Sequence, residues 1–174
     1  MKALFEYISH RDINILRIIN NSWKCRFLDI IMPAMTYLGS FPFMFVFCTV
    51  AFLLSTTIIH VMAINAMISI TLSTGIGKLL KISVNRLRPF IDIPNLNIKK
   101  IGIDKYSFPS GHTAGAFSLA VIIALYFPIF GFITIPLACC VGISRMYIGV
   151  HYPTDVIVGA FIGITCSFLT YRFF

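Results

Sequence analysis

Between Asp29 and Lys78 the chain runs for 48 consecutive positions without an Asp, Glu, Lys or Arg, with His60 the only histidine among them. A soluble fold must present charged faces to water over such a length. A lipid-embedded one must avoid them, because about 20 apolar residues are needed to cross the hydrocarbon core. The gap is therefore long enough for two crossings and a turn. Three further apolar runs follow, and the remaining charges gather at their ends. Hydrophobic residues make up 58% of the 174 positions and charged residues 11%, outside the range of ordinary soluble domains.

These runs predict an all-α fold, a polytopic transmembrane helical bundle forming a single domain over residues 1–174. Five spans are expected at Phe41–Ile59, Val61–Leu80, Gly111–Phe127, Ile129–Tyr147 and Val156–Tyr171. Phe27–Leu38, short and containing Asp29 and Pro33, either leads into the first span or forms a tilted half-span, which would make six. Ahead of them, Asp12 reads as the N-cap of a short amphipathic helix over residues 13–20. Trp23, Lys24 and Arg26 then mark a membrane interface, so residues 1–26 are read as an interfacial segment. Charges throughout Met1–Arg26 leave no apolar stretch of the kind a cleaved secretory leader carries. The very short connector at Pro128 makes the third and fourth spans a hairpin, which places the loop before one and the loop after the other on the same side of the membrane.

The net charge of +8 is dispersed among the spans, which fits anionic headgroups and argues against nucleic acid. Cys25, Cys48, Cys139, Cys140 and Cys166 lack metal-ligand spacing and read as packing residues.

Three blocks of polar residues interrupt the apolar pattern on that shared side. They are Lys81 followed at a fixed distance by Arg88-Pro89, then Pro109-Ser110-Gly111-His112, then Ser144-Arg145 with His151 and Asp155 beyond it. In type and spacing these eleven positions resemble the three signature motifs of the type 2 phosphatidic acid phosphatase superfamily, with no departure from the pattern. The resemblance covers residues 81–155 directly and implies a membrane lipid phosphatase.

The residue chemistry agrees. A transferring phosphoryl group spreads negative charge over three oxygens, which Lys81, Arg88 and Arg145 can neutralise. Pro109, Ser110 and Gly111 open a helix, whose free N–H groups seat an anion, with the Ser110 hydroxyl as a further donor and Ser144 in support. Asp155, four residues after His151, can orient its imidazole and stabilise the cation formed when it attacks phosphorus. His112 can protonate the leaving oxygen and later activate water. The resemblance implies the same roles. His10 and His60 lack such company. Two His and one Asp could in principle bind zinc, but three clamping cations oppose a metal there, and no metal, cofactor or obligate protein partner is expected.

Lys78, Arg86, Lys99, Lys100 and Lys105 flank the motifs, either attracting headgroups or sitting solvated. The connector Phe90–Phe108 is the expected lip of the substrate entrance. Family members act on undecaprenyl diphosphate, lipid A phosphates, phosphatidylglycerol phosphate and phosphatidic acid; the compact chain suggests a bacterial enzyme, and the resemblance alone implies an envelope lipid, undecaprenyl diphosphate first. The resemblance also implies a plasma-membrane enzyme whose active face lies outside the cytoplasm. Competing readings are phosphoryl transfer to a second lipid, a non-catalytic lipid-phosphate binder or transporter, and the vanadate-dependent haloperoxidases of the same superfamily, which are soluble.

Overall fold

The computed structural model describes residues 2–54, 57–98 and 104–174. Eight α-helices occupy them: α1 Lys2–Arg17, α2 Arg26–Leu38, α3 Phe41–Leu54, α4 Thr57–Val84, α5 Pro89–Asp92, α6 Gly111–Tyr126, α7 Pro128–Tyr147 and α8 Pro153–Phe173.

The helix α6 is the axis of the bundle. It packs against α8, α7 and α4, and every residue from Thr113 to Ile122 is buried. Its residues are apolar all round, as a helix enclosed on every side requires. Contact with α8 is close because Gly159 and Gly163 face it. A Cβ at Gly159 would stand 2.6 Å from the Ser110 carbonyl oxygen, and one at Gly163 would collide with that of Ala114. Small residues four apart let two helix backbones approach without water or bulky side chains between them.

Hydroxyls join α4, α6 and α8 in the interior. Ser118 on α6 donates to Ser73 on α4 at 3.0 Å, Ser167 on α8 donates to the Ser118 carbonyl at 2.9 Å, and Ser69 meets Ser167 at 3.2 Å.

By length and composition, three helices can cross a membrane: Ile58–Val84, Pro128–Tyr147 and Pro153–Phe173. A fourth is available if α2 and α3, bent by 56° at Gly39–Ser40, are one broken span. The expectation that Phe41–Ile59 crosses alone is thus modified: α3 has 14 residues and joins α2 at an angle. With Pro33 inside α2 and Gly39 directly after it, one straight helix does not form across both. The expected third span is α6, whose 16 residues amount to about 24 Å of helix, less than the other candidates.

The N-terminal region also differs from expectation. The helix there is Lys2–Arg17, continued by a π-helical turn over Ile18–Ser22, and Asp12 lies inside it, not at its start. Asp12 is 2% exposed and acts on a distant helix: its carboxylate accepts from the Thr154 N–H at 3.0 Å, from the Thr154 hydroxyl and from Arg86. It thereby satisfies a first-turn N–H of α8 that has no intrahelical partner. Leu16 and Ile19 pack with Ile93, Tyr147, Ile148, Val150 and Tyr152. Asn20 donates to the Tyr147 carbonyl at 2.7 Å and receives the Asn97 N–H at 2.8 Å.

Candidate active site

Four helix ends converge above α6, and each is turned by a local sequence feature. Asn85, with φ of 51°, ends α4 in the left-handed conformation that asparagine tolerates, its N–H bonded to the Lys81 carbonyl at 3.2 Å. The reversal sends Arg86 and Arg88 inward. Pro89 then opens α5 at its first position. Ser110 is the N-cap of α6, and its N–H donates to the Asp155 carbonyl at 3.0 Å, joining the starts of α6 and α8. Pro153 opens α8, and Asp155 in its first turn accepts the Tyr152 N–H at 2.9 Å.

His151 sits between these ends, 2% exposed. Its Nδ1 faces the Asp155 Oδ2 at 3.5 Å, and its Nε2 lies 3.3 Å from an Arg88 guanidinium nitrogen. Arginine can only donate, so Nε2 carries the lone pair and the ring proton belongs on Nδ1, toward Asp155. Burial pushes the imidazole down to about 4, with Arg145 and Arg88 adding to the effect and Asp155 opposing it. The ring is therefore neutral at physiological pH.

Arg88 is buried and donates also to the Val150 carbonyl at 3.0 Å and to the Asp104 carbonyl at 2.7 Å. Arg145, 2% exposed, donates to Thr36 on α2 at 2.7 Å, while its Nε is buried with no partner among the described residues. A buried guanidinium N–H left open is costly unless an anion takes it. Lys81 pairs with Asp104 at 2.8 Å. His112, at the start of α6, lies in the field of Arg145, Arg88 and Lys81. The N–H groups of Gly111, His112 and Thr113 precede the first bond of the helix, from the Ala114 N–H to the Ser110 carbonyl. The buried Ser110 hydroxyl shares a hydrogen bond with Thr113 at 2.8 Å, and Ser144 donates to the Val141 carbonyl at 2.6 Å.

Lys81, Arg88, Ser110, His112, Arg145, His151 and Asp155, predicted from three separate blocks, thus occupy one place. Four further residues gather there that sequence alone does not assign to it. Arg86 donates to Asp155 at 2.9 Å and to Asp12 at 2.7 Å, and stacks 3.9 Å over the Tyr152 ring. Thr36 and Asp12 come from elements far off in sequence, and Asp104 from the connector. The only sequence signal among the four was the placement of Arg86 two residues before Arg88.

An all-helical bundle with helices long enough to cross a membrane thus gathers a buried His–Asp pair, three cations and an open helix N-terminus at one end. The chain matches the family model "PAP2 superfamily" over residues 60–174 and belongs to that family. It is 32% identical over 166 residues to the bacitracin transport permease protein BcrC of Bacillus licheniformis, covering 94% of this chain and 80% of the relative. An undecaprenyl-diphosphatase of Sulfolobus acidocaldarius is 34% identical over 111 residues, 62% of this chain and 52% of that one. A lipid A 1-phosphatase of Rhizobium johnstonii is 38% identical over 108 residues, and the chain spans 43% of its length. Among solved structures, Aquifex aeolicus LpxE superposes with a TM-score of 0.84 at 30% identity, over 93% of this chain and 95% of that one.

Proposed function

We propose that this protein hydrolyses a phosphate from a membrane lipid through a phosphohistidine at His151, with a polyprenyl diphosphate such as undecaprenyl diphosphate as the first candidate substrate. The observation that carries the reading is the His151 imidazole, neutral and buried, with its lone pair on Nε2 beside Arg88 and its Nδ1 facing Asp155. That is a nucleophile with its orienting carboxylate.

In the reaction, Nε2 attacks phosphorus while Arg88, Arg145 and Lys81 neutralise the phosphoryl oxygens. The open Nε of Arg145 and the first N–H groups of α6 supply the donors. The bond from phosphorus to the leaving oxygen breaks, and that oxygen takes a proton from His112, which takes up that proton as the imidazolium when the phosphate anion enters beside it. The ring of His151, now phosphorylated and positive, draws on Asp155; the 3.5 Å separation shortens when the cation forms. Neutral His112 then takes a proton from water as the water oxygen attacks phosphorus, and phosphate leaves with both imidazoles restored.

Five crossings are proposed, formed by α2–α3 together, α4, α6, α7 and α8, in a bacterial plasma membrane with the catalytic face outward. The substrate reading rests on the names of the relatives, and the diphosphate on the three cations gathered at one site. The test is phosphate release in detergent, in the presence of chelator, from a panel of lipid mono- and diphosphates. Release that persists in chelator and disappears in His151→Ala is the expected result. Equal release by the variant would overturn the nucleophile assignment.

A further inference from the structure

Two of the three cations assigned to the phosphate are already bonded to an anion of this chain. The Asp104 carboxylate accepts from Lys81 Nζ at 2.8 Å, from Arg88 Nε at 3.2 Å, and from the terminal guanidinium nitrogen of Arg88. Its backbone is held as well: the same Arg88 Nε donates to the Asp104 carbonyl at 2.7 Å. The connector is also tied back to the same strand of chain, with Leu87 bridged to Tyr106 and the Ser107 N–H bonded to the Arg86 carbonyl at 2.8 Å. Asp104 is nevertheless open to water, its side chain 55% exposed. Burial alone would raise its carboxyl, yet Lys81 and Arg88 hold it below the ordinary carboxylate value.

An anion at this position stands where a phosphoryl oxygen would, and two like charges cannot share the pair of cations at contact distance. The side chain can leave by rotating into water while the pinned carbonyl keeps the backbone in place. We propose that Asp104 is an internal counter-anion that fills the phosphate clamp between turnovers and competes with every phosphate that enters it. This rests on the reading of Lys81 and Arg88 as phosphate ligands. Asp104 thereby sets how tightly any phosphate is held, and not which one. A lipid phosphate brings the binding energy of its chain and displaces the carboxylate, whereas free inorganic phosphate has only its charge. The product is expelled and the clamp closes on itself without a bare pair of cations. If the clamp is vacant about one tenth of the time, the apparent affinity for any phosphate falls about tenfold.

The experiment is inhibition of lipid-phosphate hydrolysis by inorganic phosphate, measured for the wild type and for Asp104→Asn, Asp104→Ala and Asp104→Glu in the same detergent. The Ki for phosphate is expected to fall about tenfold in Asn and Ala, with KM for the lipid falling in parallel, and to stay near wild type in Glu, which retains the competing charge. A Ki that is unchanged or weaker in Asn and Ala would overturn the proposal and make Asp104 a residue that orients Lys81 and Arg88. A wild type that turns over normally beside such variants leaves the phosphatase reading standing. A wild type that releases no phosphate from any lipid removes that reading and this one together.

Discussion

At the scale of single residues, the chemistry turns on where protons sit. His151 is neutral because burial and two arginines make its cation unfavourable, and its free value is about 4. Protonation would take the lone pair, so activity should be lost as pH falls toward 4 and should not follow the ordinary histidine value near 6.5. The measurement is kcat/KM against pH for two substrates whose phosphate groups titrate differently. The limb common to both belongs to the free enzyme, and it is expected well below pH 6. His112 is tested through the leaving group. A diphosphate releases a phosphate, whose second pKa is about 6, whereas a monoester releases a far more basic alkoxide. His112→Ala should therefore lose roughly 10²–10⁴-fold on a monophosphate and distinctly less on a diphosphate. Equal losses would argue against the acid role. These residues were legible in sequence because the chemistry itself dictates their type and spacing. Asp104 and Thr36 were not, since nothing near either in the chain predicts that it will meet Arg88 or Arg145.

At the scale of elements, the site is held by helix termini, and Arg86 ties the start of α8 to α1. Its guanidinium joins Asp12 of α1, Asp155 and Thr154 of α8, and the face of Tyr152. It touches Asp155, which in turn faces His151, so its role is to position. Arg86→Gln should lower kcat about 10²-fold while KM changes little, because a displaced carboxylate misdirects the imidazole without emptying the phosphate clamp. Arg86→Lys should recover little, because one ammonium cannot reproduce the planar fork and the stacking. A matched rise in KM would assign Arg86 to substrate binding instead. Sequence alone does not separate a headgroup charge from a solvated one at Arg86, since its partners lie 69 and 74 positions away. A short apolar element at Phe27–Leu38, by contrast, is visible from its length and its Pro33, and α2 occupies Arg26–Leu38.

At the scale of the molecule, α1 is bound to the catalytic end of the bundle through Asp12, Leu16 and Asn20. With five crossings the amino terminus shares the side of the active face. In a background without native cysteines, His10→Cys and Lys105→Cys should react with a membrane-impermeant thiol reagent added from the same side. Labelling from opposite sides would require an additional crossing. What the sequence could not show is this docking, because an amphipathic segment next to a membrane signal looks alike whether it lies on lipid or on protein.

The hydroxyls of Ser73, Ser118 and Ser167 never approach the phosphate, yet they bear on it. Surrounded by apolar side chains, they have no solvent to fall back on, so a helix that slides along its neighbour forfeits hydrogen bonds at once. The three helices they fasten are those that carry Lys81, His112 and Asp155. A slip of one residue is about 1.5 Å along a helix, and a misplacement of about 1 Å can cost 10²-fold in rate. The serines thus serve as an axial gauge, and the precision of the chemistry at the membrane surface is set deep within the bilayer.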